Sequence, residues 1–241
     1  MKNYVKPYEL LEESIKKETD PWILRYIYIE NKGKIANITL QRLISLDVLD
    51  LFELYQIATE DDDSENRRMA IKIIPDQQKL FSIAISDRDK ENCIIAVGKI
   101  TDQDLLFSIS KNKALDNEIR VAAVERIDNE KYLIDIIENG LDKRYNLGVN
   151  QLRDKDDPNR KASFQTIAEF LLRKKVAVSQ LKNQEYLRDF VKRPYEFFEI
   201  KVIALQNITE ELILKDLKET IKEPELLVII RNQLGTNKDC K

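Results

Sequence analysis

The sequence predicts an all-α chain, a single α-solenoid domain over residues 1–241 made of about seven to eight two-helix units of about 26 residues each. Three observations carry that prediction. The first is a recurring register: "AIKIIPDQQKLFSIA" begins at Ala70, "AVGKITDQDLLFSIS" at Ala96 and "AVERIDNEKYLIDII" at Ala123. With Ile100 as the reference, the matching positions are Val48, Ile74, Ile127, Leu152, Leu181, Ile208 and Leu234. The second is a small residue four places before six of these references, namely Ala70, Ala96, Ala123, Gly148, Ala177 and Ala204. A small side chain repeated in register marks a place where two helix backbones approach closely. The third is composition: 34% charged residues, 43% apolar residues and only five Gly and six Pro suit a helix-rich chain and not a turn-rich β fold.

Each unit divides into two short amphipathic helices. Leu80, Leu106, Leu133, Leu187 and Leu214 stand six places after their references, and Ile83, Ile109, Ile136, Phe190 and Leu217 nine places after. That spacing predicts a first helix near 102–110 and a second near 117–127 in the central unit. Asp116 or Asn117 is the expected N-cap, because its side-chain oxygen can accept an unpaired backbone N–H. "DDDSEN" before Arg67 and "DRDKEN" before Cys93 serve the same end. Helices this short are marginal alone in water, so stacking on neighbours must stabilise them. Residues 1–40, where the register is faint, read as a capping unit with Trp22, Tyr26 and Ile29 on its inner face; 41–235 read as repeats and 236–241 as a frayed tail. "LRDKDDPNRK" from Leu152 reads as an insertion within the stack.

The segment "DNEIRVAAVERI", Asp116 to Ile127, resembles the second helix of a HEAT-like repeat in its Asp cap, its Ile119–Arg120 pair, its Ala122–Ala123 pair and its closing Ile127. The resemblance spans roughly residues 40 to 235 and implies a right-handed α-solenoid of HEAT-like units whose second helices line a concave face. The family's Asp-to-Arg ladder is partly kept. Arg67 and Arg120 match it, whereas Cys93 and Tyr145 replace the arginine.

Several chemistries lose their usual carriers. There is no histidine, which removes the commonest general base and metal ligand. Neither a Gly-rich phosphate loop nor an EF-hand spacing occurs, and Asp61 to Asp63 read as solvated capping residues. Cys93 reads as a small buried hydrophobe, and Arg67 and Arg120 as partners of a neighbouring Asp cap or carbonyl. The expectation is therefore a chain that is not an enzyme and carries no cofactor. Two cysteines and the absence of an apolar leader or membrane-spanning run suggest a cytoplasmic protein with no membrane partner.

Binding remains as the expected activity. Lys99, Arg126, Gln151, Gln180, Asn207 and Gln233 stand one place before their references and would align as a polar ladder on the second helices. Lys72, Glu125, Asn150, Ser179, Gln206 and Asn232 stand two places before. Amide side chains both donate and accept, so such a ladder could hold another protein or an extended peptide. Armadillo-type solenoids, which this architecture resembles, use asparagines in that way. The alternative partner is nucleic acid. Residues 158–201 hold ten Lys or Arg against five Asp or Glu, and Arg173, Lys174, Lys175, Lys192 and Arg193 would be the phosphate-contacting set. The resemblance also takes in DNA-glycosylase relatives, but an overall pI near 5.4 argues for a protein partner first.

Overall fold

The computed structural model describes residues 7–139 and 160–236, and among these every regular element is an α-helix. Two compact units divide at Asp102. The first holds α1 (Pro7–Lys17), α2 (Pro21–Glu30), α3 (Lys34–Ser45), α4 (Leu51–Glu60), α5 (Ser64–Ile73), α6 (Gln77–Ser86) and α7 (Lys90–Lys99). The second holds α8 (Gln103–Lys111), α9 (Asn117–Val124), α10 (Glu130–Asn139), α11 (Arg160–Gln180), α12 (Gln184–Val191), α13 (Phe198–Gln206), α14 (Glu211–Thr220) and α15 (Pro224–Thr236).

Consecutive helices pack as pairs: α2 with α3, α4 with α5 and α6 with α7 in the first unit, then α8 with α9, α10 with α11, α12 with α13 and α14 with α15 in the second. Within each unit the later helix of a pair also touches its counterpart in the next, as α3 with α5 and α5 with α7, then α9 with α11 and α11 with α13. The register explains why. Ala70, Ala96, Ala123, Ala177 and Ala204 are all fully buried, and the apolar positions six and nine after Ile74, Ile100, Ile127, Leu181 and Ile208 are buried too. Starts are set by carboxylates: Asp63 accepts from the Glu65 N–H and Asp89 from the Glu91 N–H, each at 2.9 Å. Asp50 and Glu53 close a reciprocal capping box on α4. Asp116 occupies the N-cap position of α9 but makes no side-chain capping bond.

Pairing of the same kind is already present within the N-terminal segment, where α2 and α3 pack around Leu24, Ile35 and Leu43, with Ile15 of α1 closing that core. The register is faint there because the small buried side chains of α3 are Ala36 and Thr39, while position 44 is isoleucine. Trp22, Tyr26 and Ile29 do not face inward; they are 79%, 66% and 75% exposed. Helix α2 is apolar on most sides, and Leu24 is the fully buried residue, with Ile27 and Tyr28 packed against the core beside it. Helix α11 packs directly on α9 and α10, with Leu181 buried just after its end. The "LRDKDDPNRK" break lies, up to residue 159, outside the described residues. Tyr145, Gly148, Asn150, Gln151, Leu152 and the tail from Asn237 lie outside the described residues.

Candidate protein-binding surfaces

The polar ladder is engaged with the chain's own backbone. The Gln180 amide donates to the Val124 carbonyl at 2.8 Å, Asn207 to the carbonyls of Val178 and Ser179 at 3.0 and 2.8 Å, and Gln233 to Leu205 at 3.1 Å. Lys99 donates to the Lys72 carbonyl in the same way. These acceptors end the second helix of the preceding pair, where the last carbonyls have no partner within the helix. Each of these four residues therefore caps the helix behind it. Arg126 is also engaged, and Gln151 is outside the described residues. The row two places before the references stays outward: Lys72, Glu125, Ser179, Gln206 and Asn232 are exposed. In the second unit Ser179, Gln180, Gln184, Gln206 and Asn207 line an open groove of about 700 Å³.

A second set of amides, three places after the references, completes this arrangement. Gln77 Oε1 accepts from the N–H groups of Thr101 and Asp102 at 2.7 and 3.3 Å, and its Nε2 donates to the Lys99 carbonyl at 3.4 Å. Gln103 does the same with Asp128, Asn129 and Arg126 at 2.8, 3.2 and 3.2 Å. Gln184 does so with Thr209, Glu210 and Asn207 at 2.8, 3.3 and 3.1 Å. One primary amide thus joins the end of one helix to the start of the next. The signal for these residues was present in the sequence as a recurrent glutamine at a fixed offset.

The basic segment is paired internally. Arg173 is 5% exposed and donates to the Asn117 side chain; burial, then the neighbouring Arg120 charge, push its guanidinium down to about 10. Lys174 is buried and pairs with Glu196 at 2.6 Å, beside the rings of Phe170 and Phe190. Lys175 pairs with Glu199 at 2.9 Å, Lys192 with Asp216 at 2.7 Å and Arg193 with Glu138 at 2.6 Å. The positive residues of 158–201 largely join successive helix pairs instead of forming an open phosphate track.

The arginines of the partial ladder behave as expected. Arg67 makes a fork to the Asp87 carboxylate at 3.0 and 3.1 Å and donates to the carbonyls of Asp61 and Asp62. Arg120 donates to the Ser110 carbonyl at 3.2 Å. Cys93 is buried, and burial followed by the Asp87 charge pushes its thiol up to about 11, away from nucleophilic use. Among the described residues no cluster of acidic or cysteine side chains is arranged to hold a metal ion. Asp61 accepts from the Asn66 amide and the Tyr28 hydroxyl, and burial followed by that bond raises the Tyr28 pKa.

What stands out on the first unit is apolar. Trp22, Tyr26 and Ile29 recur at helical spacing along one face of α2, and Phe52 on α4 is 70% exposed. Between α2 and α4 runs a groove of about 370 Å³ with Leu43, Leu49, Ile29 and Ile57 in its lining. Arg25 bridges it: Nε and Nη2 donate to the Glu53 carboxylate at 2.6 and 3.0 Å, and Nη2 also donates to the Val48 carbonyl at 2.7 Å. The Arg25 hydrogen bond holds the Glu53 carboxyl below its usual range.

No protein-family model, curated protein or solved structure matches the chain. Among the described residues no helix is long and apolar enough to cross a membrane.

Proposed function

We propose that this chain is a non-enzymatic, HEAT-like helical-repeat scaffold of the cytoplasm that binds another protein, as an adaptor, an assembly factor or an inhibitor of the immunity type. One observation carries the reading. Amides one place before and three places after the references serve the chain's own helix ends, whereas a row of large apolar side chains on α2, with Phe52 on α4, is left in water. Exposed apolar patches flanked by polar residues characterise interaction surfaces, and exposed Trp and Tyr are the residue types enriched among binding hot spots.

The nucleic-acid alternative is weakened by the internal pairing of Lys174, Lys175, Lys192 and Arg193 and the burial of Arg173. The test is photocrosslinking in the source cells with a photoreactive residue at Tyr26 or at Phe52. A single protein captured from both sites, and lost when Ile29 is changed to Ser, is the expected result. Capture of nucleic acid, or of nothing above the level seen from a photoreactive residue at exposed Lys72, would overturn the reading.

A further inference from the structure

We infer that the groove between α2 and α4 is the seat of a basic amphipathic helix presented by the partner protein. The inference rests on the protein-binding reading above and adds the chemistry of the occupant. Two properties of the groove converge on it. Its lining includes the aliphatic side chains of Ile29, Leu43, Leu49 and Ile57, and Trp22 and Tyr26 continue the apolar surface along α2. An amphipathic helix laid into such a groove buries residues at i, i+3, i+4 and i+7.

The surrounding charge is strongly negative. Residues 20–65 hold ten Asp or Glu against four Lys or Arg, although the whole chain carries only −3. Glu53, Glu60 and Asp61 line the groove, and Glu30 ends α2 beside it. The nearby cations are already used. Arg25 is held by Glu53 in a two-point contact, and Lys32 pairs with Asp62 at 3.4 Å. The rim therefore offers unbalanced carboxylates to a helix whose polar edges carry Lys or Arg. Charge complementarity of this kind sets partner choice and speeds encounter. A second copy of this face would place one acidic rim against another, so self-association through it is disfavoured.

Trp22 is the chain's sole tryptophan and stands 79% exposed at the edge of the patch. Its emission reports occupancy without a label. The probes are three synthetic peptides of about 14 residues, long enough for about four helical turns. One carries Leu at i, i+3, i+4 and i+7 with Lys on both flanks. The second has the same Leu pattern with Glu flanks. The third has the composition of the first with its periodicity scrambled. Titrated into the intact chain, the Lys-flanked peptide should shift Trp22 emission to the blue and bind roughly tenfold or more tightly than either control. Ile29→Ser should remove the shift while far-UV circular dichroism stays unchanged, since Ile29 is 75% exposed. Glu30→Gln with Glu60→Gln should weaken binding by roughly two- to fivefold per charge and flatten its salt dependence.

Equal or tighter binding of the Glu-flanked peptide would overturn the inference, as would the absence of any shift with all three. A blue shift that grows with protein concentration in the absence of peptide would also overturn it, and would make a second copy the occupant. If the photocrosslinks at Tyr26 and Phe52 still capture one protein, any of these results removes the basic helix and leaves the protein-binding reading standing. If those crosslinks capture nothing as well, both fall.

Discussion

At the scale of single residues, the chain uses polar side chains to satisfy backbone ends. The fork from Arg67 to Asp87 is a deeply enclosed ion pair, with the two side chains 3% and 1% exposed. Removing one partner strands the other without water, so Arg67→Ala should cost about 3–5 kcal/mol in urea unfolding. Exposed Lys32, paired with Asp62 at 3.4 Å, gives the contrast: Lys32→Ala should leave the urea midpoint unchanged. Residue identity in the sequence showed that Arg67 and Cys93 belong inside, because both sit at core-facing register positions. It did not show where the ladder amides point. A half-exposed Asn or Gln one place before a helix end can face water or reach back to a carbonyl, and only the spacing of neighbouring helices decides between them. Asn207 and Gln180 reach back. For Trp22, Tyr26 and Ile29 the ambiguity was of another kind. Helix α2 offers two apolar stripes, and the pairing with α3 selects the one containing Leu24.

Among the helices, packing depends on small side chains at the closest approach. Ala204 is fully buried between neighbouring elements, so Ala204→Leu should overpack the site and cost about 1–3 kcal/mol, read as a lowered melting temperature. The glutamine clamps act between one helix end and the next start. Gln103→Ala leaves the N–H groups of Asp128 and Asn129 and the Arg126 carbonyl without that partner, and should cost about 1–3 kcal/mol. Gln103→Glu keeps the acceptor and loses the donor, so it should fall between Gln103→Ala and the unchanged chain. Helix positions and pairing were legible in the sequence because a 26-residue register repeats the same apolar offsets. The long α11 was not. Its 21 residues exceed the 8 to 13 of the other second helices, and no feature of the apolar register marks that extra length.

For the whole molecule, charge and the missing histidine set the response to pH. No side chain with an ordinary pKa titrates between about pH 5.5 and 8 when histidine is absent, so stability should be flat across that range. Glu53, Asp135 and Glu223 are held below their usual range, chiefly by hydrogen bonds from Arg25, Lys111 and Lys201 respectively. A carboxylate whose folded pKa is depressed contributes stability that is fully present above its unfolded pKa. That contribution is lost as pH falls through the folded value. Melting temperatures should therefore hold down to about pH 5 and then fall progressively below about pH 4.5. An early loss between pH 7 and 6 would point to a titrating group outside this set.

Urea unfolding followed by far-UV circular dichroism separates the amide rows, which tie helix ends together, from the α2 face, proposed above as the recognition surface, without knowledge of the partner. The double variant Gln184→Ala, Asn207→Ala should lower the unfolding midpoint markedly, because the carbonyls of Val178 and Ser179 and the N–H groups of Thr209 and Glu210 lose those side-chain hydrogen bonds. Tyr26→Ser with Ile29→Ser should leave the midpoint unchanged or slightly raised, since both side chains stand mostly in water. The opposite pattern, with stable amide variants and an unfolded α2 variant, would contradict the account.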